Sequence, residues 1–194
     1  MDAALLAWAR VVQHGRNRRR HLPPLWLFTD SHRLADPRPV VARLPKGLAG
    51  VARATLGRDL ARLCRARRLK LVVTGDPRLA AALGAGVHLR GGRWPTGAPV
   101  PARRRGTLLT SSAHGAADLR RAARARVDLA FLSPAFATRS HPGAAALGPH
   151  LWGRLARAAA LAVAALGGID GRSIRRLPRA ICFGAGAIDA LIAP

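Results

Sequence analysis

The chain has 194 residues, 49% of them apolar, which fits one folded domain with a real core and excludes a disordered chain. Its formal net charge of +24 would indicate nucleic acid if the cations were gathered, but only Lys46 and Lys70 are lysines and the arginines are scattered over every segment. That spread reads as a drift in residue usage, so it implies no specific nucleic-acid partner, only non-specific attraction to polyanions at low salt.

The first twelve residues are mostly apolar with Asp2 at their head, and the basic run Arg16, Arg18, Arg19 and Arg20 follows them instead of preceding them, the wrong order for a secretory signal. Residues 1–24 are therefore predicted to be a helix and basic linker ahead of a domain at 25–194. Short apolar runs then recur: Leu25–Phe28, Leu48–Val51, Leu69–Val73, Gly86–Leu89, Thr107–Thr110, Asp128–Leu132, Leu161–Ala164 and Ala180–Phe183. Between them, segments such as Gly57–Arg67 and Ala116–Arg126 place apolar residues at helical spacing with arginines on the other face. Pro95–Arg105 has three prolines, three consecutive arginines and no periodic apolar face, and is predicted as a loop. The longest apolar stretch, 158–169, is too short to span a bilayer and is broken by Gly167 and Gly168; it reads as a helix end running into a buried strand, so no membrane association is implied. Cys64 and Cys182 lie far apart without a C-x-x-C pair, which indicates neither a disulfide framework nor a zinc site and fits a reducing cytoplasm.

Eight continuously apolar strands alternating with amphipathic helices imply a parallel sheet covered by helices, and eight such units close into a barrel. The predicted fold is α/β: a parallel (β/α)8 TIM barrel, single domain, with an N-terminal helical extension. In such a barrel the ligand lies beyond the carboxyl ends of the strands. The residues there are Thr29–His32, Arg53, Thr74–Asp76, His88–Arg93, Ser111–His114, Ser133–His141, Gly167–Ile169 and Gly184–Gly186. This rim is rich in hydroxyls, glycine and cations, a combination suited to phosphate because glycine permits close backbone approach and arginine forks onto oxygen pairs.

At these residues the sequence resembles the thiamine phosphate synthase family and its thiazole tautomerase (TenI-like) relatives. Gly86–Leu89 resembles the family's G-V-H-L strand, Ser112–His114 its S-x-H turn, and Ser133–His141 its G-P-x-F-x-T-x-T-K loop. Gly167–Ile169 matches G-G-I, and Gly184–Gly186 the last phosphate-binding glycines. The resemblance implies a transferase joining hydroxymethylpyrimidine diphosphate to thiazole phosphate with release of pyrophosphate in thiamine biosynthesis. Its partners would be those two small phosphorylated substrates, and a homodimer is compatible with it.

By the same resemblance Asp76 matches a metal-binding aspartate, with Mg2+ as cofactor. Ser112 and Thr138 match hydroxyls lining the substrate sites, and Gly167, Gly168, Gly184 and Gly186 the phosphate cradle. Arg53, His88, Ser140 and His141 complete the implied binding set. The expected second carboxylate, shortly after G-V-H-L, is replaced by Arg90-Gly91-Gly92-Arg93, and the final Lys of the loop by His141. This exchange shifts the expected diphosphate counter-ion from Mg2+ towards guanidinium, with Arg90 or Arg93 and Arg139 binding phosphate directly. His114 matches the proton-transferring histidine of the tautomerase relatives, which gives two alternatives: a tautomerase, or a phosphate-ligand-binding or regulatory protein without turnover. Plainer roles stand beside these. His88 fits a hydrogen-bonded core histidine, Asp76 before Pro77 fits a helix N-cap, and the two serines and His114 fit caps or solvated positions.

Overall fold

The computed structural model describes residues 1–13, 21–29, 34–46, 48–52, 57–97, 106–139 and 143–192. Eight strands, all parallel, form a closed barrel in chain order, β8 pairing with β1. They are β1 Leu25–Phe28, β2 Ala49–Ala52, β3 Lys70–Thr74, β4 Gly86–Leu89, β5 Leu109–Ala113, β6 Leu129–Leu132, β7 Ala162–Leu166 and β8 Cys182–Ala187. The helices are α1 Ala3–Val12, α2 Arg38–Arg43, α3 Gly57–Ala66, α4 Pro77–Leu83, α5 Ala116–Arg124, α6 Gly148–Ala158 and α7 Asp189–Ile192, with a 3-10 turn at Ile174–Arg176 before β8. This is the (β/α)8 barrel expected from the alternating runs. Between β4 and β5 no helix occurs among the described residues, in keeping with the loop read at Pro95–Arg105, whose residues 98–105 lie outside the description.

Two apolar layers hold the barrel. Inside it, Trp26, Phe28 and Phe131 meet edge to face, with ring centroids 5.3 Å (Trp26–Phe131) and 4.9 Å (Phe28–Phe131) apart. Strands facing these large rings carry Ala49, Ala162 and Ala164, so small residues make room for the aromatics and the lumen is filled. Outside, Leu60, Leu83, Leu119, Trp152 and their neighbours pack the helices onto the sheet. The amphipathic helices obey the sequence pattern: α5 buries Leu119 and Ala122 and leaves Arg120 and Arg124 in solvent.

The leading helix lies outside the strand count but covers the barrel wall. Asp2 caps it, its Oδ1 accepting from the N–H groups of Ala4 (2.9 Å) and Leu5 (3.0 Å), while Oδ2 accepts from Gly171 N–H after β7 (2.6 Å). Leu5, Trp8, Ala9 and Val12 are buried beside β8. Since α7 is only four residues long, α1 fills the outer-ring position that the short C-terminal helix leaves uncovered.

Two boundaries differ from the sequence reading. Strand β5 continues through Ser111, Ser112 and Ala113, and β8 through Gly184 and Gly186, where loops were expected. An apolar-run criterion stops at the first hydroxyl or glycine, but here the polar side chains are satisfied inside the sheet: Thr110 Oγ1 pairs with His88 and Ser111 Oγ accepts from Gly92 N–H. Gly186 is in extended backbone, and a Cβ there would come 2.6 Å from the Phe28 ring, so its place is set by the aromatic filling of the lumen.

Candidate active site

Because every strand points the same way, the residues at their carboxyl ends share one face. Asp76 follows β3, Arg90 follows β4, Ser112 lies at the end of β5, His114 follows it, Ser133–Arg139 follow β6, and Gly167 and Gly168 follow β7. Arg53, Ser140 and His141 lie outside the described residues, as do 30–33.

His88 forms the floor of this face. It is buried, its Nδ1 lies 2.9 Å from Thr110 Oγ1, and Phe28 meets it edge to face at 5.8 Å. Burial, followed by the neighbouring Arg90 cation, pushes its pKa down to about 4, so the ring is neutral at pH 7.

Above it, the β4 loop turns back on itself through an antiparallel bridge between Arg90 and Arg93. Both arginines are exposed. The turn is pinned from beneath: Gly91 N–H donates to Ser112 Oγ (3.2 Å) and Gly92 N–H to Ser111 Oγ (2.8 Å). Arg121 of α5 donates from Nε to Gly91 O at 3.0 Å and is itself paired with Asp118. Gly92 has φ +73°, and a Cβ there would lie 2.6 Å from Ala122 N, so only glycine lets the turn lie this close to α5. The hydroxyls of Ser111 and Ser112 therefore hold the arginine turn, a role the sequence reading did not assign. The i,i+3 spacing of Asp118 and Arg121 is the one sequence signal that pointed to this support.

His114 is exposed, and its own N–H donates to Asp118 Oδ2 at 2.8 Å. Its Nδ1 lies 3.0 Å from Ser133 O and 3.4 Å from Ser133 Oγ. A carbonyl can only accept, so Nδ1 carries the proton in that contact, and in the neutral ring Nε2 then holds the lone pair, the tautomer of a potential base. Ser133 was read only as part of the β6 loop, and nothing in its sequence position betrays this contact.

Asp76 adopts the capping role: its Oδ1 accepts from Leu79 N–H at 2.9 Å, with Pro77 as the first helical residue. Asp76→Ala is expected to cost about 1 kcal/mol, read as a lower urea midpoint, because one orphan donor of α4 loses its partner. Among the described residues no three His, Cys or Asp side chains converge as a cation site. Asp76 Oδ1 already serves the cap, and Arg90 and Arg93 stand where a second carboxylate was expected, so an Mg2+ here would draw its other ligands from substrate phosphate oxygens and water.

Arg139 makes an exposed ion pair. Its Nη2 lies 3.0 Å from Asp189 Oδ2 of α7, which links the β6 loop to the segment after β8. The Gly167–Gly168 turn packs directly on the β6 loop: Phe136 N–H donates to Gly167 O (3.0 Å), and Ser173 Oγ donates to Gly168 O (2.8 Å). Among the described residues neither glycine's own N–H meets an acceptor. The Arg176 guanidinium lies over the Phe136 ring, 5.0 Å from its centroid, a further cation at this rim that the sequence reading missed. The two cysteines are no part of the site. Both are free and buried, and burial pushes their thiols up to about 11 (Cys64) and about 12 (Cys182), far from reactive thiolates.

Fold and rim define a (β/α)8 barrel with a polar, cationic carboxyl-end face. The thiamine monophosphate synthase family matches over residues 42–191, and the chain belongs to that family. Among solved structures, a thiamine phosphate pyrophosphorylase from Pyrococcus furiosus superposes with a TM-score of 0.69 over 91% of each chain at 19% identity. A structure described as native KDPGal gives 0.55 at 15% identity, over 84% of this chain and 82% of that one. A putative deoxyribose-phosphate aldolase from Coccidioides immitis gives 0.53 at 12% identity, over 94% and 93%. At these identities the structural likeness speaks for the barrel alone. No curated protein matches the chain in sequence. No helix among the described residues is long and apolar enough to cross a membrane.

Proposed function

We propose that the chain is a thiamine phosphate synthase in which arginine takes over charge neutralisation from metal. In the reaction the C–O bond between the pyrimidine methylene and the diphosphate breaks, its electron pair leaving with pyrophosphate. The thiazole nitrogen lone pair then forms the new C–N bond to that methylene. Negative charge builds on the departing oxygens while the methylene becomes cation-like. The observation that carries this reading is the Arg90–Arg93 turn, held rigid by Ser111, Ser112 and Arg121 beside a neutral histidine. Guanidinium groups carried on this pinned backbone stabilise the leaving group, and an uncharged His88 adds no positive charge near the methylene. The undonated N–H groups of Gly167 and Gly168 supply a cradle for the thiazole phosphate. The reading places the enzyme in the cytoplasm, acting on two small phosphorylated substrates.

The test is steady-state formation of thiamine phosphate from the two substrates, with and without a chelator. Activity surviving chelation, with pyrophosphate affinity falling roughly 10- to 100-fold in Arg90→Gln or Arg93→Gln, is the expected result, since a hydrogen bond to a charged group is worth about 1.5–3 kcal/mol. Strict dependence on Mg2+, or arginine variants that bind pyrophosphate normally, would refute the metal-free reading. A second reading, the tautomerase, is favoured by one observation: the Ser133 carbonyl that holds a proton on His114 Nδ1 and so makes Nε2 the basic nitrogen of the neutral ring. Thiazole aromatisation abolished by His114→Ala would support it. Binding of thiazole phosphate without any product would instead mark a non-catalytic member.

A further inference from the structure

The arginines are not distributed alike around the barrel. On the α2–α4 side half of them are paired: Arg38 with Asp36, Arg62 with Asp59, Arg65 with Leu83 O and Arg67 with Leu44 O, which leaves Arg43, Arg58, Arg68 and Arg78 exposed there without a side-chain partner among the described residues. On the opposite side, α5, α6 and the segment before β8 follow one another around the outer ring. They expose Arg120 and Arg124, Arg154 and Arg157, and Arg175 and Arg179. None of these six makes an ion pair or side-chain hydrogen bond among the described residues. The acids of this stretch are engaged elsewhere: Asp118 with Arg121, Asp128 with Leu109 N–H, and Asp170 with the N–H groups of Arg172 and Ser173. Helical spacing puts Arg120 next to Arg124 and Arg154 next to Arg157 on the solvent faces. Gly153 lies against Pro178, where a Cβ would come 3.2 Å from the ring, so the α6 pair adjoins the Arg175 and Arg179 segment.

We propose that this flank binds the phosphodiester backbone of nucleic acid without reading its sequence. Unpaired guanidinium groups fork onto phosphate oxygens and release condensed counter-ions on binding, which supplies affinity without base contacts. Trp152, the tryptophan of α6, is wholly buried and its Nε1 donates to Leu132 O, so it offers no platform for stacking. An anionic membrane is the poorer match, because the apolar face of α6 is turned into the barrel and Leu151 is the one large exposed apolar side chain of these segments among the described residues.

The test uses the full chain and a fluorescein-labelled single-stranded RNA of random sequence, with affinity followed by anisotropy from 50 to 200 mM NaCl. The variant R120Q/R124Q/R154Q/R157Q is compared with R43Q/R58Q/R68Q/R78Q, which removes the same charge from exposed positions on the other side. The first variant is expected to lose at least tenfold in affinity at 100 mM salt and to flatten the log–log salt slope by about three, near 0.7 per contact. The second should change the slope by less than about one, and both should melt like the parent. Equal losses in the two variants would show that net charge alone attracts RNA and would overturn the proposal. So would failure of the parent to bind at 100 mM salt, or flank-dependent sedimentation with phosphatidylserine vesicles in place of RNA binding.

Discussion

Gly168→Ala is expected to destabilise the barrel by about 3 kcal/mol. Gly168 has φ +64°, a left-handed conformation that costs an L side chain roughly 1–2 kcal/mol. The added Cβ would also stand 2.4 Å from Ala137 O and 2.8 Å from Phe136 Cβ. A backbone carbonyl cannot turn aside as a flexible side-chain tip can, so the β6 and β7 loops must separate, an overpacking cost of about 1–3 kcal/mol. Gly184→Ala is the contrast. Its φ is not left-handed, and the nearest atom to its Cβ would be Pro24 O at 3.1 Å, so a loss of about 1 kcal/mol or less is expected. Urea unfolding of both variants checks this, and losses of similar size would show that the left-handed turn and the loop contact are not what fixes glycine at 168. If the turn cradles phosphate as proposed, Gly168→Ala should also weaken thiazole phosphate binding, because separating the loops moves the Gly168 N–H.

The same glycine shows what the sequence made legible and what it did not. Strands buried on both faces are continuous apolar runs, so all eight were visible before any coordinates, and the position of the rim followed from their direction. Their ends were less visible, because Ser111, Ser112, Gly184 and Gly186 look like loop residues until their partners in the sheet are known. Gly167 and Gly168 were read as room for a ligand. The structure shows that the β6 loop already occupies their Cα side, so the space a side chain would take is filled by protein. Residues that organise the rim escaped notice where the coupling is made in space: Ser133 with His114, Asp189 with Arg139, Phe136 with Arg176. Each contact joins loops after different strands, or a loop to a helix, and no local spacing announces it. The exchange of a carboxylate for Arg90 and Arg93 was legible, but neither the substrate-lining role implied for Ser112 nor the capping role open to both serines announces that Ser111 and Ser112 hold that turn.

Buried His88 should make the barrel acid-sensitive in a defined window. Its pKa lies at about 4 in the fold, because burial and then Arg90 disfavour the imidazolium, against 6.5 for an ordinary histidine. Between those values the unfolded chain binds a proton that the native chain does not, so stability rises with pH across the window. The contribution is fully present above about pH 6.5 and is lost as pH falls towards 4, amounting to about 3 kcal/mol for a shift of this size at 1.36 kcal/mol per unit. Asp36, held low chiefly by its hydrogen bond with Arg38, and Asp170, held low chiefly by Ser173 N–H, lose their stabilisation only as pH drops through and below 3.8, outside that window. His88→Gln removes the titrating ring. It should cost stability at pH 7.5, since the contacts with Phe28 and Phe131 are lost, yet it should flatten the decline between pH 7.5 and 4.5 by about 2.5 kcal/mol relative to the parent. Urea titrations of both proteins at the two pH values measure that difference. An unchanged decline in the variant would mean that His88 is not held neutral by the fold, and would remove the uncharged floor on which the proposed chemistry beside the cation-like methylene relies.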